Sequence, residues 1–465
     1  MKTVRVSLAG LVIGLTAQAA PNSPVTFNKD VLPILQKNCQ RCHRPGEIAP
    51  MSFLTYRETR PWAKAMKEAV LTKKMPPWFA EQGHFANDPT LSQDQVNTLV
   101  SWANNGAPEG DAKDRPAPVT FQDGWNISPD MIVEMPREFR LPATGTINYQ
   151  NIRVKVNFAE DMWVVAAEMR AGNPKVLHHG RVIVLAPGAS WMSKAVPGEP
   201  YEEGSEGMSS KEGTDVLAKY NPGLGAQNFD VDGSAKFAPK GSDLVFNLHY
   251  TSVGTPQTDR SKVGLVFAKR PPRARYWLSP GLPHALNLVI PARDNNAEVV
   301  SEVTVGVDGA RLVYIQPHMH LRGKDFELRV TYPTGESETV FKGIWDFNWQ
   351  LGYQLAKPLP VPRGTKFLAI GHYDNSANNP FNPDPTATVR EGPQTHHEML
   401  NGFVFLGHQV GSFFGGWGGG RLFDVTGNYD AMWWISIGLG IISALLHWPI
   451  VEKPVERPFL VPQPA

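Results

Sequence analysis

His318 and His320 close an apolar run, Ala310-Arg311-Leu312-Val313-Tyr314-Ile315, whose β-branched and aromatic content reads as a strand. Residues two apart on a strand share a face, so both imidazoles can aim at one point. Such a pair suits a borderline metal such as copper or zinc, and a softer third ligand shifts the choice toward copper. Other members of the chain's thirteen histidines fall in comparable settings. His178 and His179 are adjacent inside the apolar stretch 176–184, His249 sits within 244–250, and Thr395-His396-His397-Glu398-Met399 places two more beside a thioether. Neighbours on a regular strand point to opposite faces. His178 and His179 can therefore serve one metal only where the strand ends or bulges, which Gly180 would permit.

A second motif, Cys39-Gln40-Arg41-Cys42-His43, holds the chain's two cysteines. In C-x-x-C-H the thiols form thioethers to the haem vinyl groups and the histidine becomes an axial ligand, so covalent haem c is expected on Cys39, Cys42 and His43. A zinc site would need more thiols nearby, and a redox C-x-x-C would need a thioredoxin-like βαβ pattern. Lys74-Met75-Pro76-Pro77-Trp78 resembles the methionine loop of cytochromes c and makes Met75 the expected sixth ligand, with Met51 and His84 as competitors. Two helical patterns flank the motif: residues 27–35, with Asn28 available as a cap, and residues 91–102, capped by Ser92 and ending before Gly106. Together they predict an all-α class I cytochrome c domain over residues 25–110.

The order His-His, His, His-x-His, Met resembles that of the copper type II monooxygenases, the family of peptidylglycine alpha-hydroxylating monooxygenase and dopamine beta-monooxygenase. The resemblance covers about residues 120–402, and the Gly323-Lys324 and Glu398-Met399 pairs extend it. It implies two all-β sandwich (jelly-roll) domains and two copper ions, one on His178, His179 and His249, the other on His318, His320 and Met399. The second copper would bind dioxygen and substrate and the first would deliver an electron, making His318, His320 and Met399 the catalytic group. This sequence departs from the family's animal members in having no cysteine in the region. It also carries Gln316 where the peptidylglycine enzyme has a carboxylate-anchoring arginine, which argues against a peptidyl-glycine substrate. His372 reads as a structural histidine or a neighbour of the second copper, and His396 and His397 as solvent-facing turn residues.

Composition sets these sites in context. The 465 residues include Gly 42 and Pro 41, which favours turn-rich β architecture, and 45 basic against 44 acidic residues, which gives no basis for nucleic-acid binding. Residues 1–20 read as an export signal, with Lys2 and Arg5 before a short apolar core. Residues 111–120 are expected to form a Pro-rich linker, 121–270 and 271–402 the two copper sandwiches, 403–450 a hydrophobic transmembrane tail, and 451–465 a polar C-terminus. The tail resembles the last two helices of a major facilitator transporter. These readings predict an exported, periplasmic or extracytoplasmic, membrane-anchored haem and copper monooxygenase acting on a small molecule and O2. Its reducing equivalents would come from an ascorbate-like donor or another redox protein, relayed by the cytochrome. The alternatives are a non-catalytic electron-transfer or copper-binding protein, and a structural or sensory protein with vestigial copper sites.

Overall fold

In the computed structural model the described residues are 24–447, without 48, 122–123, 146, 203–214, 222–223, 279–283, 393 and 410–424. Expectations for residues 1–20, 410–424 and 451–465 lie outside them. The architecture is mostly β. A nine-stranded sheet runs in the order Met131–Glu134, Lys262–Phe267, Met162–Arg170, Ser234–Ala238, Ala274–Leu278, Asn401–Gln409, Ala310–His318, Tyr353–Pro360, with Gln227–Asn228 added beside Met162–Arg170. Two five-stranded sheets back it. The first contains Pro200–Tyr201, Gln150–Val154, Asp243–Tyr250, Leu177–Leu185 and Asp215–Tyr220. Ala80–Gln82, Ser337–Ile344, Gly323–Thr331, Lys366–Tyr373 and Ala297–Thr304 make the second.

Each backing sheet closes its own apolar core against the long sheet. Phe246, Val182 and Leu244 meet Val263, Val164 and Met169 in one core, and Phe326, Leu328 and Phe367 meet Leu312 and Ile315 in the other. The first core also takes in Tyr276 and Val313 from beyond residue 270. Ser234–Ala238 pairs in parallel with Ala274–Leu278, and that ladder carries the long sheet from one half into the other.

The expected fold class, an all-α class I cytochrome c domain followed by two jelly-roll sandwiches and a hydrophobic helical tail, is corrected here. The N-terminal part is not an all-α domain. Its helices are short, and Ala80–Gln82 leaves them to pair with Ser337–Ile344 at the edge of the second backing sheet. The approach is close enough that a Cβ at Gly343 would collide with the carbonyl of Phe79. Trp78 and Phe85 pack on Tyr353 with ring centroids 4.8 and 5.3 Å apart. Nor are the β parts two separate sandwiches, because one hydrogen-bonded sheet is shared between them. At the C-terminal end a helix spans Asp430–His447, but among the described residues no helix is long and apolar enough to cross a membrane.

Local readings fare better. Ser92 caps the helix Gln93–Asn104 in a capping box with Gln95, and Trp102 of that helix is fully buried beside Phe27 and Leu35. Asn28 is not a cap; it is buried, and its amide donates to the carbonyls of Gly110 and Asp111. The stretch expected to be a linker folds back on the helices, since Gln36 donates to the Ala117 carbonyl and Arg115 to Asn28.

An ion cluster fixes the helical part against the first β core. Glu47 accepts from Arg44 at 2.8 Å and from Arg170 at 2.7 Å, while Arg170 also reaches Glu168 at 3.2 Å and the Gly124 carbonyl at 2.5 Å. Arg170 is only 15% exposed, so removing it takes a shared cation from two carboxylates in a poorly solvated site. Arg170→Ala is expected to lower stability by about 2–3 kcal/mol in urea unfolding. Lys269→Ala, which breaks a pair whose lysine is 74% exposed, should change it by less than about 1 kcal/mol.

Candidate metal centre

The antiparallel ladder between Leu177–Leu185 and Asp243–Tyr250 sets His179 directly opposite His249. The register then slips: Tyr250 pairs with Leu177 and leaves His178 as the extra residue of a bulge. That bulge lets two adjacent histidines face one place. His178, His179 and His249 each offer a ring nitrogen within 4.8 Å of the other two. Their ring centroids are 4.7 to 5.7 Å apart.

The surroundings select which nitrogens are available. His179 Nε2 and the Tyr149 hydroxyl are 2.7 Å apart, and Tyr149 stacks on His249 at 4.6 Å. The Tyr149 hydroxyl can donate to or accept from His179 Nε2; where it accepts, the lone pair of His179 lies on Nδ1, which is 3.1 Å from His178 Nδ1. His249 Nδ1 is buried without a hydrogen-bond partner. Burial keeps all three rings neutral, pushing His249 down to about 4 and His178 and His179 below the usual imidazole range. A trio of neutral imidazoles around a buried, unsatisfied nitrogen fits a borderline metal ion.

Among the second group, His318 is the last residue of Ala310–His318 and pairs with Asn401, while His320 lies just beyond the strand. Their ring centroids are 5.2 Å apart. His318 Nδ1 donates to Gln350 Oε1 at 2.9 Å and His320 Nδ1 to the His397 carbonyl at 3.2 Å. Both acceptors are oxygens, so both neutral rings carry the lone pair on Nε2. Burial is again the main reason that His320 is pushed down to about 4 and His318 well below its ordinary value.

Glu398, which is fully buried, organises this second group. Its carboxylate accepts from the backbone N–H of His320 at 2.8 Å and of Arg322 at 2.7 Å. The Arg322 guanidinium is 3.8 Å away and is also held by Asn375 and the His396 carbonyl. Burial raises the Glu398 pKa to about 7 against these donors. Met399 follows directly, its carbonyl accepting from Tyr373 at 2.7 Å and its sulfur from Asn401 at 3.5 Å. Glu398, holding His320, and Asn401, paired with His318, therefore bracket the thioether. The donor chemistry of two imidazoles and a sulfur fits copper.

Other histidines stand apart from the two groups. His372 is taken by Asp325 at 2.6 Å and Glu298 at 3.5 Å. His396 is exposed, whereas His397 is half-buried and packs against Gly392 rather than facing solvent.

At the C-x-x-C-H motif, Cys39 and Cys42 are not joined in a disulfide. Burial pushes the Cys39 thiol up to about 12 and raises that of Cys42, the reverse of a reactive redox C-x-x-C. His43 stacks on Phe53 at 4.3 Å and is kept neutral by burial. Two free thiols three residues apart with a neutral imidazole directly after the second are the donor set that covalent haem attachment requires. Cys42 lines a small cleft, partly open to solvent, together with Arg170, Tyr220 and Asn221. Met51 is half-buried with its backbone against His43; Met75 follows the helix Ala63–Leu71, and the His84 carbonyl is bound by Ala356 in the second β half.

No protein-family model and no curated protein matches the chain. Solved structures match weakly. PNGF-II in two crystal forms is 11% identical with a TM-score of 0.23, over 59% of this chain and 66% and 65% of the other, slightly less than two thirds of that protein. PBCV-1 VP54, fitted into a reconstruction of the virophage Sputnik, is 9% identical at 0.24, over 61% of this chain and 94% of that one. STIV MCP is 8% identical at 0.23, over 54% and 97%. Likenesses this low carry no argument about fold or function.

Two outcomes test the site. Glu398→Ala leaves two buried N–H groups and the Arg322 cation unmatched, and is expected to cost about 3–5 kcal/mol in chemical unfolding, more than Glu398→Gln. The metal-free protein should lose stability as pH falls from about 6.5 to 4. In that window the unfolded imidazoles, with ordinary values near 6.5, bind protons that His249 and His320 refuse in the fold. Glu398 opposes the trend, since its raised value favours the fold at the acid end, but it is one carboxyl against five depressed imidazoles. Thermal unfolding across that range, with His320→Ala giving a shallower fall, checks it.

Proposed function

We propose that the protein is a haem- and copper-dependent monooxygenase that works outside the cytoplasm and hydroxylates a C–H bond of a small molecule with O2. The observation that supports this best is the gathering of five neutral, buried or half-buried histidines from three distant segments into two groups, with the Met399 sulfur held by Asn401, the residue paired with His318. His178, His179 and His249 would hold one copper, and His318, His320 and Met399 the other. Copper bound there would supply dioxygen binding and one-electron chemistry. Gln350 and the His397 carbonyl accept from the second pair's Nδ1 atoms, which leaves the Nε2 lone pairs as the ones that would hold an ion, and Glu398 keeps His320 and Met399 in register. Haem on Cys39 and Cys42, with His43 as axial ligand, would relay electrons from an external donor. The docked helical part supports a relay at fixed distance, because the Glu47 cluster holds it on the β surface.

Metal and haem analysis with oxygen-uptake kinetics tests this reading on the exported protein. Two coppers and one haem per chain are expected, with reductant-dependent uptake lost in His320→Ala and Met399→Ala and haem lost in Cys42→Ala. Haem without copper, or uptake indifferent to both ligand variants, would overturn it and leave a non-catalytic electron-transfer protein.

A further inference from the structure

Residues 345–350, which follow the strand Ser337–Ile344, touch both histidine groups at once. The Phe347 ring stacks on His178 with centroids 4.9 Å apart and planes 25° apart. Three residues later, Gln350 Oε1 accepts from His318 Nδ1 at 2.9 Å. Trp345 Nε1 donates to the His320 carbonyl at 3.0 Å. The segment is internally braced, for Gln350 Nε2 donates to the Phe347 carbonyl at 3.2 Å and the Trp349 N–H to the Asp346 carbonyl at 3.1 Å. It is also tied to the first half within the buried interior: Asn221 donates to the Gln350 carbonyl at 3.0 Å, and Gln316, itself bound by Lys219, donates to the same carbonyl at 3.1 Å.

One imidazole of each group, His178 and His318, is thus held against a single short turn, which also binds the His320 carbonyl. The ligands are neutral, so neither group brings negative charge to offset a bound cation. Glu398, the carboxylate beside the second group, is already engaged by two N–H groups and Arg322. In a buried setting like charges repel far more than in water.

We propose that the two histidine groups form one coupled two-cation site, in which a cation held by either group lowers the affinity of the other for a second. The inference rests on the reading that these residues bind copper, and it adds that the two ions are not independent. Reciprocity is required: whatever the first group does to the second, the second does to the first.

The test titrates copper(I) alone, without oxygen, against a colorimetric chelator. It uses the full-length protein, His249→Ala, which leaves the second group, and His320→Ala, which leaves the first. The overall constant for loading two coppers on the wild type is expected to fall about tenfold below the product of the two single-group constants. A ratio of one, or a wild type that binds two coppers more tightly than the product, would overturn the coupling and leave the copper reading intact. A wild type that binds no copper would remove both. His249→Asn and His320→Asn, with circular dichroism alongside, replace any alanine variant that does not fold.

Discussion

The rest of the structure depends on one short parallel ladder, in which Ser234 and Ala235 lie against Ala274 and Arg275. It makes a continuous sheet out of what would otherwise be two. A hydrogen-bonded sheet does not hinge without breaking its ladder, and here the apolar packing reinforces it, because Tyr276 and Val313 from the second half are buried in the first core. The strand that ends in His318 belongs to this shared sheet, and the strands bearing His178, His179 and His249 pack on it. Neither histidine group can drift from the other while both cores stay closed.

The same economy governs the polar interior. Burying a carboxylate or a guanidinium without partners is costly, and the chain does so only where several bonds meet. Glu398 receives two backbone N–H groups beside a guanidinium, Arg322 is shared among a carboxylate, an amide and a carbonyl, and Asp243 holds Arg153 together with the N–H groups of Val156 and Asn157. Imidazoles are the exception. They are buried neutral, which costs less, and the nitrogens turned toward each other have few protein acceptors.

Much of the site was legible because its signals are local. The pair His178-His179 required a bulge, and the ladder supplies one at His178 rather than through any special conformation at Gly180. His318 and His320 were visible as a spacing, although the strand ends at His318 and His320 is held instead by Glu398. Tyr149, Phe347 and Gln350 were not legible. They sit 29, 169 and 172 residues from His178 in ordinary apolar or turn sequence, and only the tertiary fold gives them a role. The fold class failed for a related reason. Helical periodicity and a C-x-x-C-H motif describe residues 27–104 locally, but periodicity does not register that Ala80–Gln82 pairs with a strand more than 250 positions away.

That pairing has a consequence for how the chain is made. Ala80 meets Gly343, so the edge of the second backing sheet stays open, and Trp78 and Phe85 lack their aromatic partners, until almost three quarters of the polypeptide has been synthesised. Contacts this distant in sequence slow folding, and an unpaired edge invites pairing with another chain. A segment that emerges early is therefore among the last to be secured, and the nascent protein must keep Trp78 and Phe85 from the wrong partner until the C-terminal half arrives.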